Sequence, residues 1–223
     1  MCFSAPASFT SGVLLTFVGT ETLKKVHKPS QIALACISLF FAFQQFTEGV
    51  LWLTIGRTGY AGLQTVSTYI FVIMAEVIWP ILVPLSVLLM EENKIRKRIL
   101  WALQTVGAAV GLYYLYRLIF YDIHAEISVR HIVYQNAAPY SSTVISIIFY
   151  LVATILPLFV SSIKRIYIVG IVMGISFIVA ALFYRQCLIS VWCFFAAVIS
   201  FVIFYIIKDA HKKFHFAKQE KIN

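Results

Sequence analysis

Seven apolar stretches run through the chain, each about as long as a helix that crosses a membrane. Such a helix needs about 20 predominantly apolar residues to cross roughly 30 Å of hydrocarbon. Only 12% of the 223 residues are charged, whereas about a quarter is usual in soluble domains. The sequence therefore predicts an all-α, polytopic integral membrane protein with a seven-helix transmembrane bundle. The predicted spans are 5–23, 31–55, 64–90, 98–120, 143–163, 166–184 and 187–207.

These spans account for most of the chain, so a single transmembrane domain is predicted for residues 1–207. The one sizeable connection, the outer loop at 121–142, is long enough to form a lid. Residues 208–223 are predicted to be a basic cytoplasmic tail that fixes the topology. Because Phe214 and Phe216 alternate with basic residues there, the tail also suits the surface of an anionic leaflet.

Lysine and arginine are divided unequally between the two ends of the predicted helices. With an odd number of spans, all but four of the 18 fall on one side, and the exceptions are Arg57, Arg117, Arg130 and Arg185. Cytoplasmic loops carry the excess of positive charge, which predicts an N-terminus outside and a C-terminus in the cytoplasm. This orientation explains the net charge of +9, and no nucleic-acid partner is expected.

Two carboxylates, Glu48 and Glu76, lie inside predicted spans. A charge at the bilayer centre costs roughly 2.5–3.5 kcal/mol on insertion scales, and such residues usually face a bundle interior, a partner or a water-filled cavity. We therefore expect an interior polar site with both residues as candidate catalytic groups, of which Glu48 is the stronger. At 1.5 Å per residue, Glu48 lies roughly 10 Å and Glu76 roughly 18 Å from the outer ends of their predicted spans.

Glu48 belongs to a polar stripe on the second span. Gln44, Gln45 and Trp52 share its helical face because they recur at three- and four-residue spacing. Arg117, near the outer end of the fourth span, is the expected counter-charge for Glu48. The predicted lining of the site is Gln44, Gln45, Trp52, Tyr113 and Arg117. The alternative is an interhelical hydrogen-bond network that only fixes packing.

Proline and glycine in the third, fourth and sixth spans carry two further expectations. Pro80 lacks an N–H, so in an α-helix the carbonyl four residues earlier, that of Glu76, loses its hydrogen-bond partner. A free acceptor there would suit a cation or a proton, and a simple kink is the alternative. The pairs Gly107/Gly111 and Gly170/Gly174 are predicted to let helices pack closely within the chain.

Metal and disulfide chemistry have weaker support in the sequence. His124, Glu126 and His131 in the outer loop, joined by Asp122 or Cys2, match no standard metal-ligand spacing, so no metal ligand is predicted and no cofactor is identified. Under this topology Cys2 and Cys187 both fall on the outer side. A disulfide between them is geometrically allowed, but connectivity cannot be deduced from sequence.

The chain begins with Met-Cys-Phe-Ser-Ala, and its second span carries Gln45, Glu48 and Trp52 in a Gln-x2-Glu-x3-Trp pattern. In these features it resembles an uncharacterised family of small bacterial multi-pass membrane proteins. The resemblance implies that Cys2, Ser4, Gln45, Glu48 and Trp52 lie together at the outer mouth of the bundle. It also favours the bacterial cytoplasmic (inner) membrane as the location, and it implies no reaction.

Together these features predict a polar intramembrane site that opens to the non-cytoplasmic side. It would bind or process a small-molecule or lipid-derived substrate. Three classes remain open: a membrane-embedded enzyme, a small transporter or proton-coupled carrier working as a homo-oligomer, and a sensor or assembly protein without catalysis. The expected partners are the lipid bilayer and such a ligand.

Overall fold

The computed structural model of the protein describes residues 4–128, 131–137, 143–183 and 195–220. Cys2 and Cys187, the candidate disulfide partners, lie outside these residues, as do Arg130 and Arg185. The disulfide between the two cysteines therefore stays a hypothesis.

The fold is mostly helical, and its helical stretches, apart from the last, begin and end within four residues of the predicted spans. In chain order the elements are α1 (Ala5–Leu23), α2 (Ile32–Thr54), α3 (Ala61–Val72), a π segment (Ile73–Ile78), α4 (Trp79–Met90), α5 (Lys94–Phe120), β1 (Ile123–Ser128), β2 (His131–Asn136), α6 (Thr143–Val160), α7 (Ile166–Phe183) and α8 (Ala196–Glu220). A 3-10 turn at Pro29–Gln31 precedes α2. Because α3, the π segment and α4 are continuous, Ala61–Met90 is called the interrupted helix.

Three of these helices are long and apolar enough to cross a membrane: Pro29–Thr54, Ala61–Met90 and Lys94–Phe120. Two shorter apolar helices, Val144–Val160 and Ile166–Leu182, follow them. These lengths are compatible with an integral membrane protein. The last helix differs from its predicted span, since α8 continues without a break through Lys208 to Glu220, so the basic segment extends this helix.

Helices α1 and α2 form a tightly packed antiparallel pair. Glycine allows the close approach, because a Cβ placed on Gly12 would lie 2.8 Å from the ring of Phe46, and one on Gly19 would lie 2.6 Å from Leu39. Farther toward the other end, a Cβ on Gly49 would lie 2.9 Å from the ring of Phe9. These three contacts keep one register along the whole pair, which places the start of α1, capped by Ser4, beside the end of α2.

A two-stranded hairpin, and not an irregular loop, occupies much of 121–142. Strands β1 and β2 pair antiparallel, with Ala125 opposite Tyr134. The ring of Tyr134 stacks on the buried ring of Phe71 in α3 at a centroid distance of 4.6 Å, and the side-chain amide of Gln64 donates to the Ala125 carbonyl at 3.2 Å. The inner face of the hairpin therefore covers the α3 end of the interrupted helix.

At the opposite end of the bundle, the buried carboxylate of Glu91 joins two turns. It accepts hydrogen bonds from the Ser162 backbone N–H at 2.7 Å, the Ser162 hydroxyl at 2.6 Å and the Ser161 hydroxyl at 3.1 Å. It also accepts from the Asn93 N–H at 2.9 Å. Burial acts to raise the pKa of Glu91, but these hydrogen bonds outweigh it and hold the pKa below its ordinary value.

A second contact at this end brings in a third turn. The Lys28 ammonium, between α1 and α2, lies 3.2 Å from the carboxylate of Glu92, between α4 and α5. The α1–α2, α4–α5 and α6–α7 connections therefore meet at one end of the molecule. The first and third contain lysines, and the acidic second one is followed directly by the basic first turns of α5.

Replacing Glu91 by Gln should destabilise the fold by about 2 kcal/mol near neutral pH, because hydrogen bonds to a charged acceptor are worth roughly 1.5–3 kcal/mol. The pKa of Glu91 is lower in the folded protein than its ordinary value of 4.5, so its contribution is complete above that pH and is lost as the pH falls through the folded-state pKa. Thermal unfolding in detergent across pH should show the two proteins converging in acid. Glu92→Gln, at an exposed ion pair, is the control and should stay within about 1 kcal/mol of wild type.

The glycines of α5 should be intolerant of any side chain. A Cβ on Gly107 would collide with the Pro80 carbonyl oxygen of the interrupted helix, so Gly107→Ala should cost about 1–3 kcal/mol, the range for overpacking. Gly62→Ala is the control, because a Cβ there meets nothing within 4 Å among the described atoms. Equal melting temperatures for the two variants would contradict the close α5 contact.

Candidate functional site

The polar stripe of α2 faces the protein interior. Glu48 is fully buried and Gln45 is 1% exposed, and the Gln45 side-chain amide donates to the Glu48 carboxylate over a long 3.5 Å. Among the described residues, the Gln45 Oε1 and the Trp52 indole N–H have no hydrogen-bond partner. The stripe is therefore enclosed, and several of its polar atoms have no hydrogen-bond partner in the described chain.

Gln44 connects this stripe to the interrupted helix. Its Oε1 accepts a hydrogen bond from the indole N–H of Trp79 at 3.0 Å, and the Trp79 ring stacks on Phe41 at a centroid distance of 4.1 Å. Both partners of this hydrogen bond are buried. The bond fixes the register of α2 and the interrupted helix along the bundle axis.

This register brings Glu48 and Glu76 to similar positions along the bundle axis. Helix α2 and the interrupted helix run antiparallel through the short turn at 55–60. Glu48 lies one turn from Gln44, and Glu76 about one turn from Trp79, in both cases toward the hairpin end. The depths of roughly 10 and 18 Å expected from sequence were counted from the ends of two different spans. They differ because the first turns of α3, which begins at Ala61, extend past the end of α2 to the hairpin.

The π segment contains Glu76 and alters the effect of Pro80. The Trp79 N–H bonds to the carbonyl of Met74, five residues earlier. In this register Pro80 leaves the Ala75 carbonyl without its donor, where a regular α-helix would have freed that of Glu76. The Tyr150 hydroxyl from α6 supplies the missing donor at 2.6 Å. The free carbonyl was expected at Glu76. It is found one residue earlier, at Ala75, and it already accepts the hydrogen bond from Tyr150.

Arg117 lies on the α5 side of the same region and is 8% exposed. Its guanidinium carbon is 5.9 Å from the ring centroid of Tyr113 and 5.7 Å from that of Tyr114. The Tyr114 hydroxyl donates to the Ser146 hydroxyl of α6 at 3.1 Å. The Arg117 Nε is buried and has no hydrogen-bond partner in the described chain.

Glu76 is an electrostatic neighbour of both Arg117 and Tyr114, but neither Glu76 nor Glu48 forms a direct ion pair with Arg117 within the described residues. The expected Glu48–Arg117 contact is therefore not made. Glu76 is half-buried, whereas Glu48 is fully buried. We call the following set the Arg117 cluster: Glu76, Tyr113, Tyr114, Arg117, Ser146 and Tyr150.

Three members of this cluster and one neighbour were not predicted: Tyr114, Ser146, Tyr150 and Trp79. The sequence holds a signal for the first three, since Tyr114 precedes Arg117 by three residues and Ser146 precedes Tyr150 by four in an apolar span. Those spacings place each pair on one helical face. No comparable signal identifies Trp79, whose role depends on its partner in α2.

The remaining predicted site residues lie elsewhere. Ser4 caps α1, where its side chain accepts from the Ala7 N–H at 3.4 Å, and Cys2 lies outside the described residues. His124 pairs with Gln135 and His131 with Ser128 in the hairpin register, so the two histidines are about 13 Å apart along the ribbon. No group of three His, Cys, Asp or Glu in the described ranges could hold a metal ion.

Residues 1–218 match DUF6629, a family of unknown function, and the chain belongs to that family. Membership of an uncharacterised family, indicated by the first two spans, is thereby confirmed. It covers nearly the whole chain. No curated protein and no solved structure matches the sequence.

Replacing Tyr150 by Phe should destabilise the protein by about 1–2 kcal/mol, because it leaves the Ala75 carbonyl buried without a donor. Tyr116→Phe is the matched control, since Tyr116 is 51% exposed and should tolerate the change. Thermal unfolding of both variants in detergent tests the link between α6 and the π segment. Equal melting points would mean that the Tyr150 hydroxyl does not support it.

Proposed function

We propose that this member of a family of unknown function is a seven-span membrane protein whose interior polar site binds a small-molecule or lipid-derived ligand from the non-cytoplasmic side. The observation that carries the proposal is the Arg117 cluster. In this cluster Arg117 and Glu76 lie between three helices but form no direct ion pair with each other.

The seven-span topology has two supports. Six helical stretches of the described chain, counting the interrupted helix as one, begin and end within four residues of predicted spans, and α8 overlaps the second half of the seventh. In addition, the Glu91 hydrogen bonds and the Lys28–Glu92 ion pair gather three turns at one end. Lysine and arginine lie in or directly after each of these turns, which fits a cytoplasmic face. The hairpin and the Arg117 cluster then lie toward the outer face. A bacterial cytoplasmic membrane is the proposed location.

A ligand explains the Arg117 cluster better than packing alone. A buried charge is costly unless it is paired and hydrogen-bonded, and a purely structural network would satisfy the guanidinium directly. Within the described chain the Arg117 Nε has no hydrogen-bond partner. Glu76 is half-buried and keeps part of its surface accessible, which fits a side chain that a ligand can reach.

Within this site the two carboxylates have different roles. Glu76, beside Arg117, is proposed to contact the ligand as a binding group or an acid–base group. Glu48 is fully buried next to Gln45 and is proposed to have a supporting role within α2. Glu76, and not Glu48 as expected from the sequence, is therefore the proposed reacting group.

A proton-coupled carrier is the second candidate function, and the π segment favours it. Glu76 lies where the hydrogen-bond register of the interrupted helix changes, and π segments often mark functional sites. A carrier of this size would work as a homo-oligomer. It would show proton flux in liposomes with a pH-sensitive dye inside, and this flux would be lost in Glu76→Gln.

The test of ligand binding is mass spectrometry of molecules extracted with the protein in polymer-bounded membrane discs. Wild type should retain a defined small molecule or lipid, and Glu76→Gln should retain roughly tenfold less, a loss of about 1.4 kcal/mol. Glu92→Gln, at the far end of the bundle, is the control and should retain the wild-type amount. Identical retention in all three proteins, with matching thermal unfolding, would contradict a binding function.

A further inference from the structure

We propose that the ligand of this site carries an anionic group, a carboxylate or a phosphate, and that the Arg117 guanidinium binds it. This inference rests on the proposed binding function and adds the chemical class of the ligand. It depends on what surrounds the arginine in the described chain.

Within the described residues, the charge of Arg117 has no direct counter-ion. Arginine stays protonated in proteins, and Arg117 is 8% exposed. The ion pairs of the described chain join Lys24 to Glu21 and Lys28 to Glu92, so no carboxylate there touches the guanidinium. A cation in this position lacks the partner that burial normally requires.

The tyrosines cover the guanidinium but do not satisfy its donors. The rings of Tyr113 and Tyr114 lie within 6 Å of its central carbon, a distance at which aromatic faces attract a cation. The Tyr114 hydroxyl is engaged by Ser146. The two rings thus stabilise the charge without accepting hydrogen bonds from the Nε, which stays unpartnered in the described residues.

The unpartnered atom indicates the geometry of the missing group. The Nε and one terminal nitrogen of a guanidinium form a fork that matches two oxygens of a carboxylate or a phosphate. A neutral ligand could accept one hydrogen bond there but would leave the charge uncompensated. An anion supplies both the acceptors and the counter-charge.

Arg117 lies one turn from the end of α5 at Phe120, where the helix leads into the hairpin. The exposed apolar side chains Leu112, Tyr116 and Ile119 lie on another face of α5, so the inference depends on the guanidinium alone. The anionic group could belong to a phospholipid or to a free long-chain acid, which share the anionic chemistry but differ in source.

The experiment measures ligand retention by native mass spectrometry in phosphatidylcholine nanodiscs supplemented with either phosphatidylglycerol or oleate. Wild type should retain one of the two anions, and the arm that does so identifies the source. Arg117→Gln should weaken retention on the order of 30-fold, as expected for removing one partner of a buried charge pair. Arg57→Gln, at an exposed turn, is the control and should match wild type.

A measurement on the unaltered protein guards against a variant that fails to fold. Oleate should raise the melting temperature of wild type, because a ligand that binds only the folded state stabilises it, whereas methyl oleate should not. Phosphatidylglycerol and diacylglycerol form the corresponding pair for the lipid arm. Equal effects of the anion and its uncharged analogue in both pairs would overturn the inference.

The outcomes also separate this inference from the binding function. A neutral molecule retained by wild type and by Arg117→Gln, but lost in Glu76→Gln, would overturn the anionic class and leave the binding function standing. Loss of an anion in both variants supports both proposals, and Glu76 then donates a hydrogen bond to the anion as a protonated carboxyl group. Retention of nothing specific by any of these proteins overturns both.

Discussion

The close contact between α5 and the interrupted helix is the constraint on which the candidate site depends. Gly107 lies against the Pro80 carbonyl, and Gly111 lies against Val77 and Ile81, so the two backbones approach as only glycine permits. This contact sets the register between the helices. Arg117, farther outward on α5, is thereby brought close enough to Glu76 for the two charges to interact. A larger residue at either glycine would separate the charged groups as well as the helices.

The interrupted helix shows how a local irregularity is supported from outside. The π register takes the Ala75 carbonyl out of the helical hydrogen-bond pattern at Pro80, and the Tyr150 hydroxyl replaces the missing donor. On the other side, Gln44 holds Trp79 in place. Glu76 therefore lies in a segment whose irregular backbone is stabilised by both neighbouring helices, as expected where a bilayer offers no water to satisfy free backbone groups.

Much of the fold could be predicted because helix position follows from apolar length and charged turns. The predicted spans at 31–55 and 98–120 fall on α2 and α5, and the buried stripe of Gln45 and Glu48 follows from helical periodicity alone. Which of the two carboxylates lies nearer Arg117 could not be predicted. Choosing Glu76 over Glu48 requires the register between helices, which depends on the Gly107–Pro80 contact and the Gln44–Trp79 hydrogen bond. The π segment was also missed, since its extra residue per turn leaves no mark on hydropathy.

The two ends of the bundle are held by different kinds of contact. At the Glu91 end, a carboxylate and an ion pair connect three turns. At the other end, the hairpin packs on α3 through a ring stack and a side-chain hydrogen bond, and Ile123, Ala125 and Ile132 are buried in the same hydrophobic core as the helices. Both strands of the hairpin are therefore anchored in the bundle, and the chain between α5 and α6 extends the core beyond the end of α5.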